Sequence, residues 1–227
     1  MERIAAPLWP LPLAIALVML VATHLAWMLS VQAGYVPLCN PYWDGCTSIS
    51  RAARHGLGNH LFRLMMLPCA VLQGLHWWSA RDWLRLQRPG ANGGGALLPL
   101  GIGAALSLAV YATFLGTEGE VYRFLRRYGV IVYFACSYLA QLVFLRQLRR
   151  RGLAQGPLPG VMLVICVTML LLGVINAVLA AVASERLKDV MENALEWQFG
   201  ILLVAWFVAQ AWLWRRSGYA FGFRSDS

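Results

Sequence analysis

Six uninterrupted apolar runs dominate this 227-residue chain, at 9–31, 60–79, 97–115, 128–145, 161–183 and 195–214. A helix needs about 20 such residues to cross the hydrocarbon core of a bilayer. No water reaches that core to satisfy backbone N–H and C=O groups, so runs of this length have to be helical. Composition agrees with this reading. Hydrophobic residues make up 59% of the chain and charged residues 13%, against roughly 45–50% apolar and about 25% charged in soluble domains. A soluble enzyme, a disordered tail and a nucleic-acid-binding module are thereby excluded. The expected fold is all-α, a polytopic membrane protein with six transmembrane helices in one bundle, forming a single domain over residues 1–227. The first run is longer than the core of a secretory signal and reads as a retained helix.

The formal charge of +9 comes from 18 Arg and one Lys against ten acids. Six spans divide these charges between two sides. One side takes Arg3, Arg81, Arg85, Arg88, Arg146, Arg149, Arg150, Arg151, Arg215, Arg216 and Arg224, with Glu2, Asp82 and Asp226. The other takes Arg51, Arg54, Arg123, Arg126, Arg127, Arg186 and Lys188, together with six acids. Lys and Arg concentrate in cytoplasmic loops, so eleven against seven places both termini in the cytoplasm. Trp77, Trp78, Trp83, Trp212 and Trp214 read as an interfacial belt on that side. The linkers there, 89–95 and 152–160, are Pro/Gly turn segments.

The opposite, outer side holds most of the polar residues that solubility alone does not require. Its first loop contains Cys39 and Cys46, separated by Asn-Pro and Asp-Gly turn signals. In an oxidising compartment these two close a small disulfide loop; otherwise they are two reduced thiols, and no second Cys/His pair supports a zinc site. Cys69, Cys136 and Cys166 fall inside spans as small packing residues. Ser48 or Ser50 is placed to cap a helix running through Arg51, Arg54, His55, His60 and Arg63.

Arg63 sits inside an apolar run, where a charge is costly and needs a partner or a water cavity. Asp189, Glu192 and Glu196, spaced three and four apart, form one acidic helical stripe. Two readings stay open. Arg63 and Glu196 form an ion pair that locks the second span to the sixth. Alternatively, Arg51, Arg54 and Arg63 line an outward cavity and hold an anionic headgroup, since guanidinium matches phosphate in a bidentate manner. Glu192 and Glu196 then orient the arginines or, with His60, are the candidates for acid/base chemistry. No metal-ligand spacing is present and no cofactor is implied.

Thr47-Ser48-Ile49-Ser50 before the second span, Arg127-Tyr128-Gly129 at the fourth, and Glu192-Asn193-Ala194-Leu195-Glu196-Trp197 opening the sixth resemble the Frag/DRAM/Sfk family. That family includes the damage-regulated autophagy modulators and the Golgi protein of GPI-anchor lipid remodelling. The resemblance spans about residues 8–215 and adds Ser48, Ser50, Asn193 and Trp197 to the expected ligand-binding set. The bias to Arg, Ala, Leu and Gly over Lys is that of a bacterial member, which implies the inner membrane. The expected function is binding, remodelling or organising membrane lipids, with anionic headgroups as ligands, at the outer-leaflet end of the bundle. A scaffold or regulator without a ligand is the alternative, and a small-solute transporter ranks below both.

Overall fold

A computed structural model describes residues 5–87 and 95–222. Apart from one pair of short strands, the regular elements of the described chain are helices. In order it runs β1 (Ala5–Pro7), α1 (Pro10–Gln32), α2 (Ile49–Ala52), α3 (Gly56–Gln87), α4 (Leu97–Phe114), α5 (Glu120–Arg150), α6 (Leu158–Val182), α7 (Glu185–Arg216) and β2 (Ala220–Gly222). Prolines set two of the starts. Pro10 opens α1, and Pro157 and Pro159 flank the first residue of α6, where a missing N–H costs nothing.

Five helices, α1, α4, α5, α6 and α7, are long and apolar enough to cross a membrane. That is the architecture of a membrane protein. The apolar run at 60–79 lies wholly inside α3, which is not among the five. Its length is sufficient at 32 residues, but Arg63, Gln73 and His76 dilute its apolar character. Gln73 and His76 are fully buried, so α3 turns these polar side chains toward other helices rather than outward.

Packing follows a closed order. α1 rests on α3 and α7, α4 on α3 and α5, and α6 chiefly on α7 with a lighter contact to α5. Trp197, Trp206, Trp214, Phe62, Phe144 and Phe207 fill the interior. Leu17, Leu64, Val71, Leu106, Leu139 and Val178 stand exposed on the outside. In water that surface would be an aggregation patch, whereas hydrocarbon covers it without cost. Of the expected tryptophan belt, Trp78 and Trp212 are exposed, while Trp77, Trp83 and Trp214 are buried packing residues. Trp83 also donates Nε1–H to Ser217 Oγ at 3.1 Å.

Two ends result. At the strand end, β1 pairs antiparallel with β2, so both ends of the described chain meet. Arg151 Nη1 donates to Leu84 O at 2.7 Å and Tyr219 OH to Ser79 O at 3.2 Å, which ties the ends of α3, α5 and α7 together there. Arg81, Arg85, Arg146, Arg149, Arg150, Arg151, Arg215 and Arg216 belong to this end. Glu2, Arg3, Arg88, Arg224, Asp226 and the 89–94 part of the turn segment lie outside the described residues.

At the opposite end, Cys39 and Cys46 stand at disulfide distance. Asn59 is buried and its Nδ2 donates to Ala53 O and Leu115 O, both at 2.9 Å, joining the start of α3 to the end of α4. Gly116 next to it has φ +85°, and a Cβ there would lie 2.6 Å from Arg54 O. Only glycine fits that close approach.

Asn59→Ala strands two buried carbonyls and is expected to cost about 1–3 kcal/mol. Thermal unfolding in detergent checks this, and an unchanged midpoint would show that the Asn59 bridge carries no stability.

Candidate functional site

The site is built outward from Glu196, the deepest carboxylate of α7. Ser50, in the single turn of α2, donates its backbone N–H to Glu196 Oε1 at 3.2 Å and its hydroxyl to the same oxygen at 2.6 Å. Tyr111 OH of α4 lies 2.9 Å from Ser50 Oγ. A serine has one hydroxyl proton, and with that proton on Glu196 the Ser50 oxygen accepts from Tyr111. The resulting chain, Tyr111 to Ser50 to Glu196, ties three helices together. α2 exists because Ser48 caps it, its Oγ accepting from Arg51 N at 3.1 Å.

The preceding loop is fastened to the same helix. Asn193 Nδ2 donates to Gly45 O at 2.9 Å, Trp197 Nε1 to Thr47 O at 2.9 Å, and Gln198 Nε2 to Tyr42 O at 3.0 Å. Asn193, Glu196 and Trp197 fall at helical spacing on one face of α7, which is why one helix holds the whole loop.

Beside this network lies a cavity of about 1510 Å³. Its polar end is lined by Ser48, Ser50, Arg51, Arg54, Arg123, Arg126 and Arg127, with Glu118, Asp189, Glu192, Asn193 and Glu196. Farther in, the walls turn apolar: Val130, Ile131, Phe134 and Tyr138 from α5, Met169, Leu170 and Val174 from α6, and Phe199 from α7. Arg51 meets Asp189 at 3.3 Å in an exposed pair, which contributes little. Arg126 Nη1 donates to Thr117 O at 3.4 Å.

Arg54 is the crowded member of the cluster. Burial, and then the neighbouring guanidiniums of Arg126 and Arg51, hold its pKa below the usual arginine value. Its Nε is buried without a hydrogen-bond partner. A cation placed in this way is stabilised by any anion that reaches it.

Of the residues expected from sequence, Ser48, Ser50, Arg51, Arg54, Glu192, Asn193 and Glu196 come together around the cavity. Arg63, His60 and Trp197 are not among its lining residues. Glu196 takes its hydrogen bonds from Ser50 and forms no ion pair with Arg63. His60 is exposed on α3, and Trp197 is buried with its ring 5.5 Å from His24 and 5.6 Å from Tyr42. Arg123, Arg126 and Arg127 belong to the cavity and were not singled out by the sequence. Their spacing of three and one puts them on one face once α5 starts at Glu120, eight residues before the apolar run. Among the described residues no group of three or more His, Cys, Asp or Glu side chains is placed to hold a metal ion. Compared with known proteins, the chain matches no family model, no curated sequence and no solved structure.

Ser50→Ala removes the hydroxyl that both Tyr111 and Glu196 use, and an expected loss of about 1–3 kcal/mol follows. Tyr111→Phe made on top of Ser50→Ala is expected to cost less than Tyr111→Phe alone. Additive losses in unfolding experiments would contradict the relay.

Proposed function

We propose that this chain is a multi-pass membrane protein that binds lipids with anionic headgroups and helps remodel or organise them at the outer-leaflet end of a single six-helix bundle. α3 serves as the sixth crossing, and both termini lie in the cytoplasm. The meeting of β1 with β2 on the Arg-rich end supports that orientation. The inner membrane of a bacterium is the proposed location.

One observation carries the functional reading: Arg51, Arg54 and Arg126 share a cavity with a continuous apolar wall from α5, α6 and α7. Guanidinium groups offer paired donors that match phosphate oxygens. An apolar wall gives hydrocarbon a dry surface. Together they fit one molecule with an anionic head and an apolar tail. The likeness of the Ser-Ile-Ser and Glu-Asn-Ala-Leu-Glu-Trp segments to the Frag/DRAM/Sfk family points the same way, since those segments supply Ser48, Ser50, Asn193 and Glu196 to the cavity.

If chemistry occurs, Glu192 and Glu196 are the cavity carboxylates for it, and His60 stands apart. A scaffold without a ligand is the second reading, favoured by the use of Asn193, Glu196 and Trp197 as loop fasteners.

Native mass spectrometry of the purified protein tests the proposal. Wild type is expected to retain anionic phospholipid, and Arg54→Ala and Arg126→Ala to lose it by about tenfold or more, ~1.4 kcal/mol. Equal retention by both variants would overturn the lipid reading in favour of the scaffold. For remodelling, the lipidome of a deletion strain is expected to change and to be restored by wild type but not by Glu196→Gln.

A further inference from the structure

α6 is two different helices in its surroundings. Along its first half, toward the strand end, Met162, Ile165, Cys166 and Met169 are buried. From Leu170 to Val182 no described side chain is buried. The same change occurs against α5. At the level of Gln141 the two helices touch, with Cys166 Sγ 3.7 Å from Gln141 Oε1. Beyond that level both contribute lining to the cavity, so they part toward the mouth that holds Arg54 and Arg126.

The gap is open sideways. Ile131 of α5 and Leu170 and Val174 of α6 line the cavity, yet they are 53%, 52% and 52% exposed. A side chain that faces a cavity and is also half exposed marks the rim of an opening. The neighbours on that outer face are Val167, Leu171 and Val178, all exposed and apolar. The opening therefore faces hydrocarbon rather than water.

Resting on the lipid reading above, we infer that the cavity is loaded laterally from the outer leaflet, through a port between α5 and the second half of α6. The ligand is a chain-bearing phospholipid. Its phosphate meets Arg54 and Arg126, and one acyl chain lies between Phe134 and Val174 and leads out through the port. Headgroup and tail need not separate from the bilayer at any step, which spares the cost of exposing the chain to water. Gly173 belongs to this device. It lines the cavity, and a Cβ there would sit 3.7 Å from Phe199 Cζ, so a larger side chain would fill the cleft from within.

The full-length protein in detergent, titrated with long-chain phosphatidylglycerol and separately with glycerophosphoglycerol, the same headgroup without chains, tests this by native mass spectrometry. Wild type is expected to bind the long-chain lipid, and the chainless headgroup about tenfold more weakly or worse. Gly173→Leu, which favours the helix, and Val174→Trp at the rim are each expected to weaken long-chain binding by about tenfold. Val164→Trp, on an exposed α6 position away from the cavity, is expected to bind as wild type.

If Arg54→Ala abolishes binding while both port variants bind as wild type, the lateral port is overturned and the lipid reading stands. Equal affinity for the chainless headgroup, or an equal loss in Val164→Trp, overturns the port as well. If wild type binds no phosphatidylglycerol, the lipid reading itself falls and takes the port with it. Should Gly173→Leu fail to fold, Val174→Trp and the chainless headgroup still decide.

Discussion

The half of this protein opposite the paired strands depends on how one carboxylate is satisfied. Glu196 stands well inside α7, where an ionised group without partners is prohibitive. An arginine would answer the need, and Arg63 was the candidate of similar depth. Ser50 answers it instead, with a hydroxyl and a backbone N–H on one oxygen. Two consequences follow. Ser50 belongs to α2, so satisfying Glu196 also fixes the turn that carries Arg51 and leads to Arg54. And the guanidiniums around the cavity are not consumed by direct hydrogen bonds to that carboxylate. Arg54, partly buried and crowded by Arg126 and Arg51, feels Glu196 only as a smaller opposing charge and has its Nε buried without a hydrogen-bond partner. In the proposed function, that residual positive charge is what receives the anionic headgroup.

The two ends of the molecule divide rigidity from opening. At the strand end, β1 with β2, Arg151 with Leu84 and Tyr219 with Ser79 bind the two ends of the described chain and three helix ends into one layer. α6 is anchored there by its buried first half. Its second half has no buried side chain among the described residues and stands off from α5. A cleft closed at one end and open at the other follows from that asymmetry, as does the gradient within it from guanidinium to hydrocarbon. The network around Glu196 keeps the polar rim fixed while the apolar side remains accessible.

Where apolar residues ran to the helix ends, the sequence was enough: 9–31, 97–115 and 161–183 correspond to α1, α4 and α6. Hydropathy reads what can face lipid, not where a helix stops. So α5 and α7 extend past their apolar runs by turns carrying Arg123, Arg126 and Asp189. Those added turns hold much of the cavity mouth, which is why Arg123, Arg126 and Arg127 were not singled out, whereas Arg51, Arg54 and the acidic stripe were. α3 likewise runs past 60–79 at both ends, and its Gln73 and His76, polar yet buried among neighbours, lower the apolar character by which the other five helices stand out. Depth along the spans is all that pairs Arg63 with Glu196 in the sequence. Sequence does not say which helices are adjacent, and α3 takes α1 and α4 as its main neighbours while α7 takes α1 and α6.

A structure of the protein in nanodiscs of native lipid would test the central claim most directly. The account predicts a bound lipid whose phosphate lies within hydrogen-bonding distance of Arg54 and Arg126 and whose chain passes between α5 and α6, with Ser50 still on Glu196. A cavity filled only by water, or a rearranged core in which Arg54 or Arg63 pairs with Glu196 and closes the mouth, would contradict it.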